Sequence, residues 1–228
     1  MIALLYSGNL RTFPLCVKNH AEVFGPADVY MSISDEWGYT DKINDPWHKR
    51  EDLSDLPWNN TGKRRAEQIT PGLIERLLPE GFVLKGLKIT PNNELAFKDR
   101  LRKDNHLLYQ YWYNEDCFNL VKKDYKSLVR IRPDITIQRS VPASEKITFS
   151  SYVWYHKLYD YKTMNEMIWT APPDLMERTC RILKNIKQID DNLPLVMLYG
   201  ESVFHEHLKI EGLLDKKKLF EYGWMVWR

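Results

Sequence analysis

Two arginines and an aspartate alternate at Arg130, Arg132 and Asp134, inside the stretch Ser127-Leu-Val-Arg-Ile-Arg-Pro-Asp-Ile-Thr-Ile-Gln138. Read with period two, Val129, Ile131, Ile135 and Ile137 fall on one side with Pro133, and Arg130, Arg132, Asp134, Thr136 and Gln138 on the other. Alternation this rich in β-branched residues predicts a strand. Charges in a row on one strand face are costly to bury unless they pair or meet a ligand. An ion pair along the strand and a site for an anion are both open to these residues. Pro133 has no N–H to give a sheet, so the strand is predicted to bulge or end there and to deliver Asp134 to a sheet rim. In open α/β sheets the ligand lies at that rim, outside the carboxyl ends of the strands.

A second group is Ser7-Gly8-Asn9-Leu10-Arg11. Gly8 allows close approach of backbone to a ligand, its neighbouring amides suit a phosphate, and Arg11 adds a forked cation. An ordinary strand–helix turn with a surface arginine fits the same residues. A third group, Glu201, His205, Glu206 and His207, falls on a predicted helix, where Glu201 and His205 share a face. Taken singly, each also reads as part of a solvated charged face. His20, His48, His106 and His156 read as surface or internally satisfied histidines.

The elements that must position these groups follow from periodicity. Residues 2–6 are a continuous apolar run ending in Ser7-Gly8-Asn9, which predicts a buried strand and a loop. Pro14 opens a helix that Gly25-Pro26 stops near Phe24, and Ala27–Ser34 is a second strand. Strand–helix–strand is the unit of a parallel sheet. Its right-handed crossover puts Ser7-Gly8 and Ser34-Asp35 on one rim. Residues 37–65 show no period and predict a long loop. A short helix is predicted over 71–78, a strand over 81–89 and a long helix over 104–123, leading into the Arg130 strand. Further strands are predicted at 147–149 and within 161–169. A helix is expected from Pro172-Pro173-Asp174 to about Ile189, mostly helix over 193–214 with a break near Gly200, and a strand-like tail.

Composition excludes several classes. The 33 basic and 31 acidic residues leave a net charge of +2, which gives no global argument for a nucleic-acid partner. Cys16, Cys117 and Cys180 are too sparse and too far apart for a disulfide framework or a paired-cysteine zinc site, so a reducing compartment is expected. The first residues lack a basic segment and a signal-length apolar run, and no stretch is apolar enough for a membrane span. A cytoplasmic protein, in the host cytoplasm if viral, is the expectation. Aromatic residues make up 13% of the chain, with Trp37, Trp47 and Trp58, then Tyr152, Trp154, Tyr155, Tyr159 and Tyr161, in polar surroundings. They fit either packing or stacking on sugars or bases. Walker, GxGxxG, GxSxG and HExxH signatures are absent.

The order of the motifs resembles a group of bacterial, phage and large-virus glycosyltransferase-like proteins. The resemblance rests on Ser7-Gly-Asn-Leu-Arg-Thr-Phe13, Gln110-Tyr-Trp-Tyr113 and Val129-Arg-Ile-Arg-Pro-Asp-Ile135, followed by Asn165-Glu-Met-Ile-Trp169 with Met176, and by Glu201, His207-Leu208 and Gly212-Leu213. It touches most of the chain outside 37–100. It implies a single GT-A-like domain over 1–228, with a mixed, mostly parallel sheet flanked by helices. It also implies transfer of a sugar from a UDP- or GDP-sugar to a glycan or other acceptor hydroxyl. Ser7, Gly8, Arg11, Asp35, Arg130 and Arg132 are then donor-binding residues. GT-A enzymes commonly hold Mn²⁺ or Mg²⁺ with Asp-x-Asp. Here Arg132-Pro133-Asp134 keeps only the last acid, so Asp134 is the expected metal ligand and Arg132 meets the diphosphate. Glu166 and Glu201 are the candidate catalytic bases, Glu166 standing where the family has Asp. A non-catalytic carbohydrate-binding protein on the same fold and a sulfotransferase-like phosphate-handling enzyme are the alternatives.

Overall fold

The structure is a computed structural model that describes residues 2–37, 68–91, 106–122, 124–139, 145–150, 153–156, 161–164, 166–195, 198, 200–220 and 224–226. In order, β1 (Ile2–Gly8), α1 (Phe13–Phe24), β2 (Ala27–Ser34), α2 (Pro71–Leu77) and β3 (Phe82–Thr90) precede α3 (His106–Asn119), β4 (Ser127–Ile131) and β5 (Ile135–Ile137). Then come β6 (Ile147–Ser150), β7 (Val153–His156), β8 (Tyr161–Met164), β9 (Ile168–Ala171), α4 (Pro173–Cys180), α5 (Ile186–Asn192), α6 (Gly200–Ile210), β10 (Lys217–Phe220) and β11 (Trp224–Val226).

Seven strands form one sheet in the order β10-β6-β9-β4-β1-β2-β3. All neighbours run parallel except β9, which is antiparallel to both β4 and β6. The mixed, mostly parallel sheet expected from the sequence is therefore present. β1 is buried along nearly its whole length because both faces are covered. Ala3, Leu5, Leu128, Trp169 and Phe149 pack on one face with α3, α4, α5 and α6. Leu4, Tyr6, Val129, Ile131 and Ile33 pack on the other with α1 and α2.

The Arg130 stretch is two strands, broken across Arg132-Pro133-Asp134 as Pro133 predicts. β4 is the centre of the large sheet, while β5 leaves it and pairs antiparallel with β11. The other edge of β5 is met by side chains of α1. Asn19 Nδ2 donates to the Ile137 carbonyl at 3.0 Å, and the Ile137 N–H donates to Asn19 Oδ1 at 2.7 Å. His20 Nε2 bonds the Ile135 carbonyl at 2.6 Å, and Tyr6 Oη lies 2.9 Å from Nδ1. A carbonyl only accepts, so Nε2 carries the proton and Nδ1 accepts from the tyrosine.

Protonating His20 destroys that acceptor. Burial holds its pKa down, from 6.5 to about 4. A histidine depressed in the folded state is stabilising while neutral. Its contribution is complete above the unfolded value of 6.5 and is lost as pH falls toward 4, on the order of 3 kcal/mol. Thermal melts between pH 7.5 and 4.5 are expected to show a falling midpoint below pH 6.5, and less of a fall in His20→Asn.

Other boundaries differ from expectation. The helix predicted over 173–189 is α4, a 3-10 turn at Ile182–Asn185 and α5, because Arg181 leaves helical geometry at φ −82°, ψ 46°. β7 was not predicted. The long loop beyond Trp37, with Trp47, His48 and Trp58, and also Tyr152, Tyr159 and Asn165, lie outside the described residues.

Candidate functional site

The rim at the carboxyl ends of β1, β2 and β4 gathers most of the predicted residues. β9 contributes too: being antiparallel, it brings its amino end, with Glu166 and Met167, to the same rim. The Arg132 N–H donates to the Met167 carbonyl at 3.0 Å, which fixes the turn after β4 against the start of β9.

Asp134 sits at the centre, with its side chain 2% exposed. Arg132 holds it in a fork, Nε to Oδ1 at 2.8 Å and Nη2 to Oδ2 at 2.6 Å, and Arg11 Nη1 reaches Oδ2 at 3.0 Å. Burial pushes the carboxyl pKa up, but the two guanidinium groups outweigh it and hold Asp134 below the usual carboxylate range. Arg132 shows the counterpart: burial lowers its pKa, and Asp134 more than restores it.

This geometry does not suit the metal expected at Asp134. A divalent cation needs free carboxylate oxygens, whereas both oxygens here accept guanidinium N–H groups, and an ion placed there meets two like charges. Among the described residues no group of three or more His, Cys, Asp or Glu is arranged for a metal. The residues at Asp134 do not fit Mn²⁺ or Mg²⁺.

Gly8 and Arg11 shape the β1–α1 turn. Gly8 has φ +99°, and a Cβ built on it meets nothing within 4 Å, so the backbone there is open to close approach. Arg11 has φ +45°, uncommon for a residue with a side chain, and is held by its N–H donating to the Trp37 carbonyl at 2.8 Å as well as by Asp134. Asp35 follows β2 on this rim, its N–H donating to the Thr90 carbonyl at 3.2 Å, and its charge acts on Tyr113 of α3.

Arg130 is not at the rim surface. It is 1% exposed, on the face covered by α3. Nε donates to Asn114 Oδ1 at 2.9 Å and Ser7 Oγ at 3.2 Å, and Nη1 donates to the carbonyls of Glu166 and Met167. Its guanidinium lies 4.7 Å from the Trp169 ring centre. Burial pushes its pKa down to about 10, partly offset by Glu166. Ser7 is buried beside it and donates to Asn114 Oδ1 at 2.5 Å. The expected donor-binding residues Arg130 and Ser7 thus form the floor beneath the rim.

Glu166 is 5% exposed, and burial and then Glu201 raise its pKa. Its Oε2 has no hydrogen-bond partner among the described residues. It lies against the start of α6, where a Cβ on Gly200 falls 2.3 Å from Glu166 Oε1. Glu201 follows on α6, half-buried, and both carboxylates act on Arg132 through space. Burial, then the charge of Lys217, lowers the His205 pKa to about 4, and His207 is spent on the Arg178 carbonyl at 2.8 Å and on Asn185.

Asn114 and Gly200 escaped the sequence reading. Asn114 had a signal: Gln110 and Asn114 are i,i+4 on an aromatic-rich helix, and the buried amide nitrogen of each lacks a partner among the described residues. Gly200 was legible only as a helix boundary.

No protein-family model and no curated protein sequence matches the chain. A solved structure, the galactosyltransferase LgtC in complex with donor and acceptor sugar analogs, matches 96% of this chain and 73% of its own, with a TM-score of 0.52 and 9% identity. At that identity the likeness is one of fold, and it places the chain's architecture among GT-A-like glycosyltransferase folds.

Proposed function

We propose that the chain is a glycosyltransferase, a single GT-A-like domain that moves a sugar from a nucleoside-diphosphate donor to an acceptor hydroxyl. The observation that carries this reading is a cationic rim, Arg11 and Arg132 around Asp134, at the carboxyl ends of β1 and β4 in a glycosyltransferase-like fold. Ligands of open α/β sheets bind at that place. The ordered motifs that resemble bacterial, phage and large-virus glycosyltransferase-like proteins support the same reading.

In the transfer, the bond from the anomeric carbon to the β-phosphate oxygen breaks and its electron pair stays on that oxygen. The acceptor oxygen forms the new bond and gives up its proton. The growing charge on the diphosphate requires cations fixed in advance. Arg11 and Arg132 supply them, and Gly8 admits the donor to the backbone. Asp35, which follows β2 on the same rim, is assigned to the nucleoside. Glu166 takes the acceptor proton in an inverting transfer, since burial brings its pKa closer to working pH. Glu201 is the second candidate.

Calorimetric titration with UDP-, GDP- and ADP-sugars, followed by assay for transfer and donor hydrolysis, tests the proposal. One sugar nucleotide is expected to bind and turn over. Glycan binding with no sugar-nucleotide binding points to a carbohydrate-binding protein instead. Binding of an adenosine bisphosphate donor alone points to sulfuryl transfer.

A further inference from the structure

We infer that Asp134 is a positioning residue: it holds Arg132 and Arg11 as a two-guanidinium clamp for the diphosphate of the donor, and the clamp does its work with no divalent cation on that carboxylate. The inference rests on the proposed transfer of a sugar from a nucleoside diphosphate.

Two guanidinium groups brought to one place repel each other. The carboxylate between them removes that repulsion and sets their planes. Arg11, Arg132 and Asp134 taken together carry one net positive charge, with Glu166 and Glu201 acting on Arg132 from the α6 side. The fork on Asp134 uses Nε and Nη2 of Arg132, so its Nη1 has no partner among the described residues. Arg11 approaches through one N–H, and its side chain is 29% exposed, against 2% for Asp134. The Arg132 side chain is 11% exposed, so both cations lie nearer the surface than the anion between them, the reverse of a metal site, where carboxylates face the ligand. A planar guanidinium offers paired N–H groups that match phosphate oxygens. The strained backbone of Arg11 agrees with a residue held in place for a ligand. Beside it, Gly8 leaves open space where phosphate oxygens approach the amides.

The test is calorimetry on the full chain with UDP, GDP and ADP, and with the matching nucleosides, each in EDTA and in Mn²⁺. The nucleotide that binds is expected to do so equally well in both, within about threefold. Arg132→Lys keeps the charge but loses the fork, and is expected to weaken that nucleotide roughly tenfold. Asp134→Asn is expected to weaken it by roughly the same factor while leaving the nucleoside's affinity unchanged, because only the phosphate end is affected. If Asp134→Asn does not fold, Arg11→Lys at the more exposed position carries the same comparison. A nucleotide that binds only with Mn²⁺ overturns the clamp and leaves the proposed glycosyl transfer standing. Equal losses for nucleotide and nucleoside in the variants also overturn it, since they mark a merely structural role. Failure of every nucleotide and sugar nucleotide, with and without Mn²⁺, removes the proposed function and the clamp together.

Discussion

Arg130→Ala is expected to cost the protein about 3–5 kcal/mol, the range for breaking a buried charge network by removing one partner. Against a total stability of about 5–15 kcal/mol, that brings the fold close to its limit. The reason is the number of groups that depend on this guanidinium. Ser7 Oγ, Asn114 Oδ1 and the carbonyls of Glu166 and Met167 all lose a donor in a place water does not reach. The Trp169 ring loses the cation over its face, and a cavity opens between β4 and α3. Urea unfolding with an unchanged slope measures the loss. Arg130→Met separates packing from hydrogen bonding. It restores most of the volume and none of the donors, so more than half of the loss is expected to remain. A methionine variant as stable as the parent shows that packing alone accounts for Arg130.

Gly200→Ala is expected to lower the proposed glycosyl transfer by roughly 100-fold or more while the protein stays folded, because in the proposed mechanism Glu166 is the general base and removing such a base costs about that much. In most helices the change is neutral or stabilising, by up to about 1 kcal/mol. Here the new methyl group falls 2.3 Å from Glu166 Oε1 and 3.0 Å from its carboxyl carbon. The cheapest relief is a rotation of the glutamate, which keeps the backbone and takes the carboxylate out of position. Glu166→Gln is the reference. If both changes act through the same carboxylate, the double variant is no slower than the slower single variant. Multiplying losses in the double variant show that Gly200 acts elsewhere.

Residues near one another in sequence were the most readable part of this fold. β1, α1 and β2 carry their own signals: an unbroken apolar run, Pro14 near the helix start, Gly25 after its end. All three lie where the periodicity puts them. The apolar side of the Arg130 stretch was also legible, since Val129, Ile131, Ile135 and Ile137 share one core. Its polar side was not, because period two says which residues share a face and nothing about what covers it. Arg130 lies under α3 while Arg132 reaches the rim, and only the break at Pro133 separates their fates. The burial of Glu166 depends on Gly200, thirty-four positions away and on another element, so no local pattern announces it. Asp134 was expected to hold a metal because Arg132-Pro133-Asp134 was matched to the Asp-x-Asp of GT-A enzymes; its pairing with Arg11, 123 positions away, is a contact that only the fold creates.

The pairing of β5 with β11 also sets an order of events. Residues 135–137 follow directly on the Arg132-Pro133-Asp134 corner, and their free backbone edge waits for residues 224–226. During synthesis, β1, α1 and β2 can assemble as soon as they leave the ribosome, because their contacts are close in sequence. The corner cannot be closed on that side until the chain has been made through Val226. A nascent chain stalled before that point carries an open strand edge beside the Arg132-Pro133-Asp134 turn. Such an edge is the natural place for a holding chaperone or for mispairing with a second chain.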